Sequence, residues 1–214
     1  MNNWHLITMR ITDYGQLPSC FITATDTDAG KTHVSCEIVR AWQQQGYSVA
    51  AFKPIATGAI SHKGQRVSED ALKLAAVTGQ TAGEINPYLY DKPASPHIAD
   101  INQSFALADC LKQFKQLHQQ VDRVLVEGVG GWCVPLSDTL MLKDLAIAIG
   151  LPVVMVSRIG LGCINHSLLT FHQIQRDCHL WYGWIANIKD PDYADIDSNI
   201  GAIEQRMTSG TVKT

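Results

Sequence analysis

Three consecutive residues, Gly30-Lys31-Thr32, have the types and order needed to grip phosphate. They lie within the stretch CFITATDTDAGKTHVSC (20–36), with an apolar run before them and a helical pattern after. Backbone N–H groups at a helix start bind phosphate, helped by the helix dipole. Gly30 lets the backbone approach closely. Lys31 supplies a point charge to β- and γ-phosphates, and the Thr32 hydroxyl can ligate Mg²⁺. The His33 side chain falls on the helix surface, while its backbone N–H can face a phosphate. One feature departs from the usual GxxxxGK[ST] pattern: Thr25 stands at the first glycine position.

Other side chains fit the same chemistry. Glu127 ends the apolar run RVLVE, where a carboxylate is costly unless it is paired or bound to metal. Mg²⁺ takes oxygen ligands and keeps several waters, so one or two carboxylates suffice. The alternative for Glu127 is a salt bridge to a lysine at the same rim. Asp70 lies in the first turn of a helical pattern, where an acidic residue ordinarily serves the dipole. Lys53 follows the apolar VAAF and precedes Pro54. A lysine there suits negative charge developing on a transferred phosphoryl group, although it could equally be a solvated strand-end lysine. Gly128 and Gly130, in EGVGGW, permit positive φ and close approach of a ligand. Trp132 reads as a packed wall.

Elements that could position these residues alternate regularly. Strands are expected at 19–24, 48–54, 123–128, 152–157 and 180–187. Helices are expected at 29–46, 68–79 with Ser68 as N-cap, 104–119, 140–150, 163–178, and from the last strand to about 207. The stretch 80–103 reads as irregular. Apolar rather than alternating strands imply a parallel sheet covered on both faces. The expected fold is α/β: a three-layer, doubly wound, mostly parallel sheet of the phosphate-loop NTPase type. Ligands of such sheets bind beyond the carboxyl ends of the strands. Those ends carry TDTDAGKT, Lys53, EGVGGW, SRIGLGCINH and Asn187, which together define one rim.

Composition narrows the function classes. The 214 residues suffice for one domain, expected over 1–214 with an extra segment at 1–18 and a disordered tail at 208–214. A net charge of -3 with scattered Lys and Arg argues against a nucleic-acid or membrane surface. No apolar run approaches the roughly 18 residues of a membrane span. The first residues lack a signal-peptide pattern, so a cytoplasmic protein is expected. The six cysteines show no CxxC spacing and read as buried free thiols. The histidines show no HExxH pattern, and no metal is assigned to them.

Together these motifs resemble the dethiobiotin synthetase family. The resemblance covers about residues 20–190 and rests on TDTDAGKT, KPIATG, SEDAL, NPYLYDKPASPH, VEGVGGWCVPLSD, LGCINHSLLT and GWIAN, in family order. It implies ATP as co-substrate, Mg²⁺, CO₂ or bicarbonate, and 7,8-diaminononanoate, which is carboxylated and closed to a cyclic urea. Lys53 and Lys31 match the catalytic lysines. Thr32, Asp70 and Glu127 match the magnesium site. Asp28, Ala29, Gly30, Lys31, Thr32, His33, Asp70, Glu127, Gly128, Gly130 and Asn187 fall at ATP-binding positions, with Asn187 as the amide that reads adenine. Thr57 falls beside the diamine. Leu161, Gly162, Cys163, Ile164 and Asn165 match a helix start that holds the substrate carboxylate across a homodimer interface. Ala24 stands where the family has glycine, which is tolerable if its φ is negative. Gly160 stands where relatives often carry a basic residue, and no counterpart of a final LLGxIP-like strand is seen. A partner-regulating ATPase of the partition type would carry a second lysine five residues before Lys31. That position is Asp26.

Overall fold

A computed structural model of the chain describes residues 10–209. Its centre is a five-stranded parallel sheet of β1 (Cys20–Ala24), β2 (Val49–Phe52), β7 (Arg123–Glu127), β8 (Val153–Arg158) and β9 (Trp181–Asn187), in the spatial order β2-β7-β1-β8-β9. All five residues of β1 are buried, as expected of a central strand covered on both faces.

Side-chain alternation splits the core in two. On one face Ile22, Ala24, Leu125, Val154, Val156 and Ile185 pack with Val34, Ile38 and Trp42 of α1 (Lys31–Gln44). α2 (Glu69–Thr78) and α3 (Ala82–Ile85) extend that layer, placing Ala71, Leu74 and Ile85 against Ala51. On the other face Phe21, Val124, Val126, Val153 and Met155 meet α5 (Leu107–His118), α6 (Leu142–Ile149), α7 (Cys163–Asp177) and α8 (Ile196–Ser209). These are the three layers expected. Ser68 caps α2, its side chain accepting from Ala71 N.

The stretch read as irregular contains ordered pieces. β6 (Tyr88–Tyr90) pairs in parallel with β3 (Ile55–Thr57), and α4 (Pro96–Ala99) follows. β4 (Ile60–His62) and β5 (Gln65–Val67) form a hairpin. Its turn residues Lys63 and Gly64 both have positive φ, 50° and 77°, as a two-residue turn matched to strand twist requires. Elements of three or four residues are too short to establish a hydrophobic period, which is why the sequence hides them.

The segment before β1 is part of the fold. Ile11 N donates to Trp184 O at 2.8 Å, on the outer edge of β9, and Leu17 is buried with its carbonyl accepting from Trp42 Nε1 at 2.9 Å. At the other end α8 buries Ile200, Ile203 and Met207. It runs through Ser209, so Thr208 is helical rather than part of a tail. The rest of the expected tail, 210–214, and the first nine residues of the N-terminal segment lie outside the described residues. Among the described residues the central sheet has no sixth strand. The cysteines are free: Cys20, Cys36, Cys110 and Cys163 are buried and Cys178 is half-buried, but Cys133 is exposed, contrary to the expectation for the set.

Ala24 is wholly buried in β1, pairs with Val156 and has a negative φ, so its methyl group meets no backbone penalty. Ala24→Gly is expected to lower unfolding free energy by about 0.5–1 kcal/mol, because glycine loses more freedom on ordering. Urea denaturation measures this, and nucleotide affinity should not improve.

Candidate active site

The loop between β1 and α1 is held by its own lysine. Lys31 Nζ donates to Gly130 O at 2.6 Å and Asp26 O at 3.3 Å, joining the loop to the turn after β7. Asp28 takes a left-handed φ of 58° and Gly30 one of 98° just before α1. Ala29 is buried and His33 is exposed on the helix. Gly128 N donates to Ile22 O at 2.9 Å, closing the end of β7 against β1. Gly130 has a φ of 60°, which aims its carbonyl at Lys31.

Beside the loop lies a compact charged cluster. Lys53 Nζ is 2.6 Å from Glu127 Oε1 and 3.0 Å from Asp70 Oδ2. Thr32 Oγ1 donates to the same Glu127 oxygen at 2.8 Å, and Asp70 lies near the same hydroxyl. The two carboxylates meet at Lys53, with Thr32 beside them. Lys53 and Glu127 are almost wholly buried, whereas the Asp70 side chain is 40% exposed. Of the two roles the sequence left open for Glu127, metal binding and pairing with a rim lysine, the structure shows the pairing.

The electrostatics follow from burial and proximity. Burial pushes the Lys53 pKa down, but Glu127 and Asp70 outweigh it and the ammonium is held above its ordinary range. Burial pushes Asp70 up, and Lys53 with the Thr32 hydrogen bond reverses that, leaving its carboxyl below the usual range. Lys31 goes the other way. Burial first, and the charge of Lys53 second, lower it to about 8.

The oxygen set suits a hard divalent cation. Glu127 Oε2 is buried and has no hydrogen-bond partner, an orphan acceptor on the side chain that meets Thr32 and Lys53. A buried acceptor of this kind is costly unless something binds it. Thr32, Asp70 and Glu127 therefore fit Mg²⁺.

Other expected residues take varied positions. Asn187, at the end of β9, is buried and its Nδ2 donates to Ala29 O at 2.8 Å. Thr57 ends β3 opposite Tyr90 and is half-buried. At the start of α7, Leu161 and Asn165 are exposed and Ile164 is half-buried, while Gly162 has a φ of 87°. Cys163 points inward, its Sγ 3.5 Å from Asn199 Oδ1. Among the described residues, no hydrogen bond or ion pair joins Thr57 or 161–165 to the Lys53 cluster. Trp132 is a buried wall, as expected, with Nε1 donating to Asp177 Oδ2 at 2.8 Å. Sequence reasoning missed Asn86, whose buried amide donates to Lys53 O at 2.9 Å and Tyr88 O at 3.1 Å and so fixes the backbone that carries Lys53. A polar residue before a proline in NPYLY was the only hint.

A parallel sheet with a glycine-lysine-threonine loop after its central strand, facing a buried lysine and two convergent carboxylates, defines an α/β protein of the phosphate-loop class. A family profile described as an AAA domain matches residues 19–209. The chain is 40% identical over 190 residues to the ATP-dependent dethiobiotin synthetase BioD of Ralstonia nicotianae, covering 87% of this chain and 83% of that protein. It is 39% identical over 196 residues to the protein of the same name from Xanthomonas oryzae pv. oryzae, covering 90% and 88%. Against the Aromatoleum aromaticum protein of that name the identity is 40% over 191 residues, covering 87% and 85%. The chain belongs to the dethiobiotin synthetase family.

Two outcomes test the electrostatics. Removing one partner of the buried pair, as in Glu127→Leu, should cost about 3–5 kcal/mol in urea unfolding, and Lys53→Met/Glu127→Leu together should recover most of it. An ordinary lysine keeps its proton to 10.5, but Lys31 gives it up near 8. The unfolded chain thus binds the extra proton across that window, so this group's penalty to stability shrinks as pH rises from about 8 to 10.5. Phosphate charge beside Lys31 restores the proton. ATP binding at about pH 9 should therefore take up protons, and at about pH 7 should not, as calorimetry in buffers of different ionisation enthalpy will show.

Proposed function

We propose that the protein is an ATP-dependent dethiobiotin synthetase, a ligase of biotin biosynthesis that carboxylates 7,8-diaminononanoate and closes it to a cyclic urea. The observation that carries this reading is the Lys53–Glu127–Asp70–Thr32 cluster set against the Lys31 loop. Full-length relatives bearing that activity in their names support it.

One amine of the diamine adds to CO₂ and loses a proton, giving a carbamate. A carbamate oxygen attacks the γ-phosphorus of ATP and ADP departs with the bridging oxygen. The second amine attacks the carbonyl carbon of the mixed anhydride, and phosphate and a proton leave. Such transfer asks for positioning and charge neutralisation more than covalent chemistry from the protein.

The residues divide that work. Lys31, at the mouth of the loop, can exchange its carbonyl partners for phosphate oxygens. Lys53 keeps its proton, because two carboxylates hold it, and it offers positive charge where the γ-phosphoryl group and the carbamate meet. The backbone from Asp28 to His33 cradles the phosphates at the start of α1. Bound Mg²⁺, held by Thr32, Asp70 and Glu127, would neutralise phosphate charge. Thr57 has a hydroxyl for the carbamate or an amine, and Leu161–Asn165 is the expected site of the substrate carboxylate near a homodimer interface. The same reading makes the enzyme cytoplasmic. No helix among the described residues is long and apolar enough to cross a membrane.

Phosphate release should require diamine, bicarbonate, Mg²⁺ and ATP together. Lys53→Ala should abolish it while ATP still binds. ATP binding without diamine-dependent turnover in the wild-type protein would overturn the proposal.

A further inference from the structure

The amide of Asn187 does something that a base-reading role does not require. It reaches from the end of β9 to the phosphate loop and donates from Nδ2 to Ala29 O at 2.8 Å. The side chain also lies against the next residue. A Cβ added at Gly30 would fall 1.9 Å from Asn187 Nδ2, so the amide occupies the space that the missing Gly30 side chain leaves. Asn187 is buried, and β9 is fixed in register with β8, Arg158 opposite Asn187. β8 in turn pairs with β1, from which the loop springs.

We infer that Asn187 is a positioning residue for the phosphate loop. It holds the Ala29–Gly30 peptide in the orientation that presents the loop N–H groups to phosphate. This inference rests on the loop being a nucleotide site, as proposed above. The carbonyl of Ala29 is fixed by a donor, and the plane of the peptide that follows is fixed with it. The N–H of Gly30 therefore points opposite to that hydrogen bond, away from Asn187. Gly30, at a φ of 98°, is held in a conformation that glycine tolerates but does not by itself select. The amide supplies the selection. One of its two N–H donors is used inside the protein, and Oδ1 makes no hydrogen bond among the described residues, so Asn187 can still offer a ligand one donor and an acceptor.

Tripolyphosphate is the deciding probe, because it carries the phosphates and no base. Asn187→Ala removes the amide. Asn187→Leu keeps the branched shape and removes the hydrogen-bonding groups of the amide, which controls for a cavity. Melting curves of both variants confirm folding. Calorimetric titration should show that each binds tripolyphosphate about three- to tenfold more weakly than the wild type, the range for one lost hydrogen bond. KM for ATP should rise while KM for the diamine is unchanged. Wild-type affinity for tripolyphosphate in both variants, with only ATP weakened, would reduce Asn187 to a base contact and overturn the inference. A wild-type protein that binds ATP but not tripolyphosphate would overturn it too, since the loop would then not be organised without the base. Failure of the wild type to bind ATP at all would remove the nucleotide reading and this inference with it.

Discussion

The buried ion pair between Lys53 and Glu127 is the constraint around which the site is built. Neither charge could stay in the interior without the other, since an isolated buried charge costs far more than a fold's net stability allows. The pair joins the ends of β2 and β7, neighbours in the sheet, and Thr32 brings the start of α1 to the same carboxylate. The two tasks proposed for the site, holding phosphate and offering positive charge to it, fall on residues fixed relative to each other by one oxygen atom. Asp70 adds a second carboxylate from outside the sheet, on a helix packed against α1 and half in water. That asymmetry leaves one partner rigid and the other able to adjust.

Much of this was legible in the sequence because the elements are long and their periods distinct. Five apolar strands with polar ends, a helix after the central one, and Ser68 ahead of α2 were all readable, to within one or two residues. Lys31, Thr32, Lys53, Asp70 and Glu127 fall at the same rim because each follows a strand or opens a helix. Spacing did not disclose which charge meets which. Lys53 and Glu127 are 74 residues apart, and only the parallel register of β2 and β7 makes them neighbours. Asn86 went unseen for a related reason. Its amide holds a backbone, and an amide in a turn looks the same whether it does that or not.

Small elements were the blind spot. The Ile60–Val67 hairpin and the β3–β6 pair each rest on three-residue strands, and no periodicity can emerge from so few positions. The residues before β1 were equally opaque. Ile11 and Leu17 are ordinary apolar residues in a polar stretch, and their hydrogen-bond partners, Trp184 O and the Trp42 indole, arrive much later in the chain.

That leading segment bears on where the protein can safely be cut. The sheet begins at Cys20, and a shortened version starting there would look complete by topology. It would nevertheless expose the indole of Trp42, at the far end of the helix whose first turn carries Lys31 and Thr32, and strip the outer edge of β9, the strand that ends in Asn187. Both elements are braced by residues 10–19. Truncation into that segment therefore reaches the candidate site through the scaffold.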